Sequence, residues 1–212
     1  DEHHHGEDDD EQFQAVFGEH TGISGCLRYI ANKIRNNDPH TTILFSKDFS
    51  SSTRTPSSAL SDVALEVFGR YIANSTHMFI IDLDCNGMTD DITTSLFRGL
   101  TKSSSIAILN LMRNNIGING MRSMVPFLKN SPNLSKLSMS CNSIGSEGFE
   151  IVMQSLNGYA AMKNLYFTNC NIGDISSLET YPLSKLRELY LSKNNIGRGG
   201  FITIANLLQK EG

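Results

Sequence analysis

One stretch of the chain reads Ile106-x-x-Leu109-x-Leu111-x-x-Asn114-x-Ile116-Gly117. Four further stretches keep apolar residues at the first three positions of this frame and an Asn or Cys at the fourth: Met78–Met88, Leu134–Gly145, Met162–Gly173 and Leu186–Gly197. The Asn position falls at residues 86, 114, 142, 170 and 194, in steps of 28, 28, 28 and 24 residues. Self-similarity at such a period is the signature of a solenoid built from stacked repeats.

Each repeat predicts a strand, a turn and a helix. The alternation of Leu109 and Leu111 predicts a short strand with one buried face. The amide of Asn114 can donate and accept hydrogen bonds, which suits backbone groups where the chain leaves the strand. Apolar pairs four residues apart follow the turns and predict amphipathic helices: Leu96/Leu100, Met124/Leu128, Val152/Leu156 and Ile204/Leu208. Stacking therefore places the strands on one surface and the helices on the other.

This frame resembles the leucine-rich repeat, and the Ile-Gly that follows its Asn resembles the ribonuclease-inhibitor-like subclass. The resemblance covers about Met78 to Lys210. It implies an α/β fold, a right-handed leucine-rich-repeat solenoid in a horseshoe arc, with a parallel β-sheet on the concave face and helices on the convex face. The subclass also includes the repeat region of NLR immune receptors and the Ran GTPase-activating protein.

The region before Met78 follows the frame more loosely. We expect a strand over Thr42–Asp48, with Asp48 at the Asn position. We also expect helices over Leu60–Ala73 and about Ile23–Arg35, and a degenerate strand around Phe13–Phe17. In the Cys170 repeat, apolar residues recur every three positions, which predicts a single tight turn within 172–181 rather than a full helix.

We divide the chain into a leader at 1–12 and a leucine-rich-repeat domain at 13–212, with a Ser/Thr-rich insertion at 49–58. The leader holds many acids, no Lys or Arg, and the His3-His4-His5 tract, so we expect it to be disordered. Because the chain begins with Asp rather than Met, we expect it to be a fragment of a longer protein.

Composition excludes several classes of function. The net charge is -4, and the small basic excess outside the leader is too scattered for a nucleic-acid surface. The sequence contains no membrane-spanning apolar run, phosphate loop or nucleophile pattern, so we expect no membrane, no nucleic acid, no cofactor and no enzyme activity.

The four cysteines have no CxxC spacing, which argues against zinc and disulfides. We expect no metal site and a reducing compartment, the cytoplasm, with the nucleus as the alternative. Cys26 and Cys170 are expected to be buried.

We call the outward-facing side of the strands the concave wall. The alternation predicts that the partner-binding residues there are Ile80, Asp82, Asp84, Ile108, Asn110, Met112, Lys136, Asn164, Tyr166, Glu188 and Tyr190. Leu44, Ser138 and Ser140 are expected to face solvent in the same columns.

Three features of the wall have two interpretations each. Tyr166 and Tyr190 on adjacent strands form either an interface hot spot or a cross-strand pair that only stabilises the sheet. The apolar residues Ile80, Ile108 and Met112 form either a contact patch or ordinary surface hydrophobes. Asp82 and Asp84 either receive a basic partner or keep the wall soluble, and we favour solubility.

The sequence favours a protein–protein interaction module that binds a protein partner along the concave face, in a full-length protein expected to be a monomer. Two alternatives come from the resemblance. One is a GTPase-activating regulator like the Ran GTPase-activating protein, and the other is the ligand-sensing repeat region of an NLR-type receptor.

Overall fold

The computed structural model describes residues 4–21, 23–44, 60–156, 161–175 and 186–209, with side chains placed from residue 8 to residue 206 of these ranges. The strands within them are β1 (Ile43–Leu44), β2 (Ile80–Asp82), β3 (Ile108–Asn110), β4 (Lys136–Ser138), β5 (Asn164–Tyr166) and β6 (Glu188–Tyr190). The α-helices are α1 (His4–Phe17), α2 (Gly25–Arg35), α3 (Asp62–Asn74), α4 (Asp90–Gly99), α5 (Ile118–Ser123), α6 (Val125–Lys129), α7 (Gly145–Ser155) and α8 (Gly197–Gln209).

The six strands form one parallel sheet in chain order from β1 to β6. Leu109 pairs with Leu137, Leu137 with Leu165, and Leu165 with Leu189, so the four leucines occupy consecutive rungs. This register confirms the parallel ladder and the α/β solenoid that the repeat predicts. The sheet stays open, because neither β1 nor β6 pairs with the other end.

The helices cover one face of the sheet through the apolar pairs that the sequence predicts. Leu96, Leu100 and Val152 are fully buried in the common core. The helical segment of the Met124 repeat is divided into α5 and α6, with Met124 between them. Pro126 lies in the first turn of α6, where its missing N–H removes no intrahelical bond.

Helices α3 and α4 of neighbouring repeats touch at two glycines. A Cβ on Gly99 would lie 1.9 Å from the carbonyl oxygen of Glu66. A Cβ on Gly69 would lie 2.2 Å from the carbonyl oxygen of Leu96. The spacing of these two helices therefore requires glycine at both positions.

Asn114 joins two repeats where the chain leaves the sheet. Its Oδ1 accepts from the backbone N–H groups of Asn86 and Met88, at 2.9 and 3.0 Å. Its Nδ2 donates to the carbonyl oxygens of Leu83 and Leu111, both at 2.9 Å. The side chain thus satisfies buried backbone groups of the preceding turn and of its own turn.

The turns at Asn142 and Asn194 repeat this pattern, and the turn between them has a Cys instead of an Asn. Asn142 accepts from the N–H of Ile116, and Asn194 accepts from the N–H of Cys170. Cys170 stands where the other repeats have Asn, and its thiol donates to the Met139 carbonyl oxygen at 3.3 Å. Burial raises the pKa of the Cys170 thiol to about 11, so the thiol keeps its proton as the donor.

Helix α1 shows that two expectations for the N-terminal region were wrong. Residues 4–12 are helical rather than a disordered leader, and Phe13 and Phe17 belong to a helix rather than to a strand. Both rings are buried. The Phe17 ring lies 6.2 Å from the Phe68 ring of α3, so apolar contact with the repeats orders the helix.

Arg35 of α2 provides a second anchor for α1. Its Nη2 lies 2.6 Å from Asp10 Oδ1, and its Nη1 donates to the Asp9 carbonyl oxygen at 3.3 Å. The guanidinium also lies 4.6 Å from the centroid of the Phe13 ring. Acidic side chains that looked like a solvated run in the sequence thus hold the helix to its neighbour.

Strand β1 corrects the expected register by one residue. Leu44 pairs with Ile81 and is fully buried, whereas the sequence placed it among the outward-facing residues. A shift of one residue moves a side chain to the other face of a sheet. The expected Asn-position residue Asp48, the wall residue Ser46 and the insertion at 49–58 lie outside the described residues.

The tight turn expected within 172–181 is described only in its first part. Residues 171–175 contain no helix, and residues 176–185 lie outside the described part of the chain.

Candidate interaction surface

The strand alternation directs the predicted side chains of the concave wall away from the core. Strand pairing places Ile80, Ile108, Lys136, Asn164 and Glu188 side by side in one column. The half-buried wall residues are Ile80, Asp82, Asp84, Ile108, Asn110, Met112, Lys136, Asn164 and Tyr166, and the exposed ones are Glu188 and Tyr190. All eleven predicted residues therefore lie on one continuous face.

Tyr166 and Tyr190 stack directly on each other. They pair in register across β5 and β6, with ring centroids 4.9 Å apart and an interplanar angle of 16°. On the β4 side, Lys136 Nζ lies 4.8 Å from the centroid of the Tyr166 ring, within the range of a cation–π contact. Tyr190 remains 47% exposed, so the pair presents an aromatic surface to solvent.

The Tyr166 hydroxyl donates a hydrogen bond to Glu188 Oε2. This bond raises the pKa of Tyr166 to about 12 and lowers the pKa of Glu188, whose carboxylate also interacts with Asn164. At neutral pH the phenol therefore keeps its proton and the carboxylate its charge. These contacts restrain the orientation of the Tyr166 ring.

A depression of about 410 Å³ lies beside the tyrosine pair. Its lining consists of Ile80, Asp82, Ile108, Asn110, Met112, Lys136, Ser138 and Tyr166. The structure thus brings seven of the predicted residues together around Ser138.

Ser138 and Ser140 were expected to face solvent, and that expectation was wrong, since each is only 6% exposed. Ser138 lies on β4 between Asn110 of β3 and Tyr166 of β5, both of which have longer side chains, and Ser140 Oγ accepts a hydrogen bond from the Thr168 N–H. Ser138 therefore forms the floor of the depression. We call this feature the Ser138 depression.

The two wall aspartates have different partners. Asp82 Oδ1 accepts from Asn110 Nδ2 at 2.9 Å and from the backbone N–H of Asp84 at 3.1 Å. The Asp84 carboxylate forms an ion pair with Arg113, whose Nε donates to it at 2.9 Å and whose pKa it raises. This pair was not predicted from the sequence, although the two residues are 29 positions apart, one repeat plus one position, which is a recognisable spacing.

A second apolar surface lies beside β6 and was not predicted. It is lined by Leu186, Arg187, Glu188, Leu189, Leu191, Ser192, Phe201 and Ile204. Phe201 of α8 is 64% exposed. The equivalent strand residues of the preceding repeat, Leu165 and Phe167, are buried because the next repeat covers them.

The cysteines are all free, and one expectation about them was wrong. Cys170 is buried as predicted, but Cys26, in the first turn of α2, is exposed. Among the described residues, no group of three or more His, Cys, Asp or Glu side chains could hold a metal ion. The side chains of the His3–His5 tract lie outside that part of the chain.

The helices that the structure describes include none that is both long enough and apolar enough to cross a membrane.

Comparison with known proteins connects this architecture to a family. The model of the family described as Leucine Rich repeat matches residues 130–150 and 183–205. The chain is a leucine-rich-repeat protein. Ribonuclease inhibitor of Sus scrofa is 26% identical over 147 residues, which cover 66% of this chain and 32% of the relative.

A second relative supports the same subclass. NACHT, LRR and PYD domains-containing protein 5 of Mus musculus is 26% identical over 165 residues, or 74% of this leucine-rich-repeat protein and 14% of the relative. The repeats are therefore of the ribonuclease-inhibitor-like kind. The chain spans about a third of the length of the first relative and a smaller part of the second.

A solved structure agrees with the fold. Leiomodin-1 Actin-Binding Site 2 superposes with a TM-score of 0.58 at 15% sequence identity, over 89% of this chain and 90% of that one. At this identity the match shows the shared fold alone. Together, the family and its relatives indicate a repeat domain of the protein-interaction type.

Proposed function

We propose that this leucine-rich-repeat protein binds a protein partner along its concave wall. The observation that carries the proposal is the stacked Tyr166–Tyr190 pair, which stands beside the Ser138 depression on one open face. A long, open surface of this kind suits a protein better than a small molecule. Two similar proteins are named for protein targets, a ribonuclease and actin, which supports a partner of this class.

The tyrosine pair has the properties of an interface hot spot. Tyrosine offers a large apolar area and a hydroxyl with few rotatable bonds. Here Lys136 and Glu188 restrain the Tyr166 ring in the free protein. Binding would then immobilise fewer side chains, and the entropy loss on association would be smaller.

The competing interpretation is that the pair only stabilises the sheet. Cross-strand aromatic pairs contribute roughly 0.2–1 kcal/mol to folding. The two interpretations predict different effects when both rings are truncated. The binding role predicts a loss of partner binding, and the structural role predicts a lower free energy of unfolding alone.

The proposal assigns binding rather than catalysis to the wall. Two of its charged groups have partners on the wall itself, Arg113 in the Asp84 carboxylate and Glu188 in the Tyr166 hydroxyl. GTPase activation and ligand sensing, the two roles implied by the resemblance, stay predictions. The expected cytoplasmic or nuclear location also stays a prediction.

The proposal can be tested by comparing partner capture by three proteins: the wild type, the double variant Tyr166→Ala plus Tyr190→Ala, and Tyr29→Ala. Tyr29 is a matched control because it is 63% exposed on α2, away from the wall, and Lys33 Nζ lies 5.6 Å from its ring centroid. We expect the double variant to bind the captured partner at least about tenfold more weakly, while Tyr29→Ala binds normally. Equal recovery by all three folded proteins would contradict the proposal.

A further inference from the structure

The Ser138 depression has one apolar side, one side that combines an aromatic ring with a cation, and a polar floor. Ile108 and Met112 of the β3 repeat stand on the apolar side. Tyr166 of β5 stands on the other side, with Lys136 Nζ 4.8 Å from its ring centroid. Strands β3 and β5 are separated by β4 alone, so the two sides are roughly 10 Å apart. This width admits one side chain above Ser138, in contact with Ile108 and Met112.

Asp82 lies on β2, at the rim of the depression, and forms no ion pair with any residue that the structure describes. It is half-buried, and its hydrogen bonds come from two neutral donors, the Asn110 amide and the Asp84 backbone N–H. Across the part of the chain that the structure describes, no Lys, Arg or His lies within ion-pair distance of Asp82. Its charge is therefore available to a group from outside.

Two cationic side chains of the wall have contacts other than Asp82. Arg113 is paired with Asp84, and Lys136 lies over the Tyr166 ring. A partly buried carboxylate beside an apolar surface gains most from a basic side chain that arrives with its own apolar neighbour. The depression thus combines an apolar contact with a fixed negative charge at one rim and a positive charge, Lys136, at another.

We propose that the Ser138 depression receives one apolar side chain of the protein partner, and that a Lys or Arg next to it in the partner pairs with Asp82. This inference rests on the proposed function and names the partner chemistry for the same wall. The basic residue lies toward β2, because Lys136 on β4 repels a cation at the opposite rim.

The probe for this proposal is a displayed library of random peptides, selected in parallel on the full chain, on Asp82→Asn and on Asp91→Asn. Asp82→Asn keeps the Oδ1 acceptor and removes the charge. Asp91 is an exposed carboxylate in the first turn of α4 and serves as the matched control. We expect the wild type and Asp91→Asn to enrich peptides with an apolar residue beside Lys or Arg.

The selected peptides, measured by fluorescence anisotropy, should bind Asp82→Asn about tenfold more weakly than the wild type. They should also lose binding to Ser138→Phe, which fills the depression. Selection of apolar or acidic peptides that bind Asp82→Asn equally well would overturn the inference. Failure to enrich any peptide would also count against it, because the proposal requires only two partner side chains.

These outcomes separate the two proposals. Suppose that the selected peptides are apolar, bind Asp82→Asn as well as the wild type, and lose binding when Tyr166 and Tyr190 are truncated. This result would support binding along the concave wall and contradict only the pairing of a partner Lys or Arg with Asp82. Peptides that bind regardless of Tyr166, Tyr190 and Ser138 would contradict both.

Discussion

The asparagine turns and the concave wall use polar side chains in opposite ways. At the turn, Asn114 bonds backbone groups of two repeats inside the core. On the wall, Tyr166 bonds Glu188 and Arg113 bonds Asp84, so side chains pair with side chains at the surface. Removing a turn residue leaves backbone groups buried without partners, whereas removing a wall residue leaves groups that water can reach. Stability should therefore depend on the turns and binding on the wall.

The largest effect is expected for Asn114→Ala. The substitution leaves the N–H groups of Asn86 and Met88 and the carbonyl oxygens of Leu83 and Leu111 without this partner. Buried unpaired polar groups cost about 1–3 kcal/mol each, so we expect the free energy of unfolding to fall by more than about 3 kcal/mol.

Urea unfolding measures this change, and Asn115→Ala is the matched control. Asn115 is the next residue and is exposed, so its loss should change the free energy of unfolding by less than about 0.5 kcal/mol. Similar losses in the free energy of unfolding for both variants would contradict the expectation that the turn asparagines stabilise the fold more than surface residues do.

Gly99→Ala tests the helix layer behind the same turns. The new Cβ would lie 1.9 Å from the Glu66 carbonyl oxygen, so α3 and α4 must move apart. We expect a loss of about 1–3 kcal/mol in the free energy of unfolding. In Gly199→Ala the new Cβ meets no atom within 4 Å, and a stabilisation of up to about 1 kcal/mol is expected in the α8 helix. Thermal unfolding measures both changes. A lower melting temperature for Gly99→Ala and a higher one for Gly199→Ala would support the close contact between α3 and α4, and shifts in the same direction would contradict it.

The turns could be predicted from the sequence because their chemistry repeats. Asn114, Asn142 and Asn194 each accept hydrogen bonds from backbone N–H groups of the preceding turn. The regular spacing fixes the register from Met78 onward. The register of Leu44 could not be fixed in this way, because no Asn follows it at the regular distance. Helix α1 also escaped prediction, since Phe17 finds its partner Phe68 only through the fold.

The sequence predicts which residues lie on the wall, but not how deeply each of them is buried. The repeat spacing alone predicts that Tyr166 lies beside Tyr190, and the stacking of the two rings follows from that register. The burial of Ser138 depends on the lengths of side chains in the flanking repeats, which no spacing specifies. The Arg113–Asp84 pair depends on a long side chain reaching back one repeat.

Tyr190→Ala tests whether the wall contributes little to folding. The ring is 47% exposed and stacks on one neighbour, so we expect a loss below about 1 kcal/mol in the free energy of unfolding. Tyr29→Ala, which truncates a tyrosine that is 63% exposed on α2, should cost a similar amount. A loss above about 2 kcal/mol for Tyr190→Ala alone would mean that the pair is structural, which would favour the competing interpretation.

The smallest effect on stability is expected from Glu188→Gln, and the variant is best followed through the pKa of Tyr166. The hydrogen bond to Glu188 raises the pKa of Tyr166 from 10.0 to about 12, so this contribution to stability is present below pH 10.0 and is lost as the pH rises through about 12. The same bond lowers the pKa of Glu188 below 4.5, so the contribution of Glu188 is present above pH 4.5 and is lost as the pH falls through the lowered value.

With a neutral amide at position 188, the phenolate loses its repulsion from the carboxylate, and the pKa of Tyr166 should fall toward 10.0. Nuclear magnetic resonance of ring-labelled tyrosines follows this ionisation residue by residue. Glu147→Gln is the control, because Glu147 pairs with Arg122 and makes no contact with the tyrosine pair. An unchanged Tyr166 titration in Glu188→Gln would mean that burial by its neighbours, rather than the carboxylate, holds the hydroxyl. The Tyr166 ring would then be restrained by its contacts with Tyr190 and Lys136 rather than by Glu188.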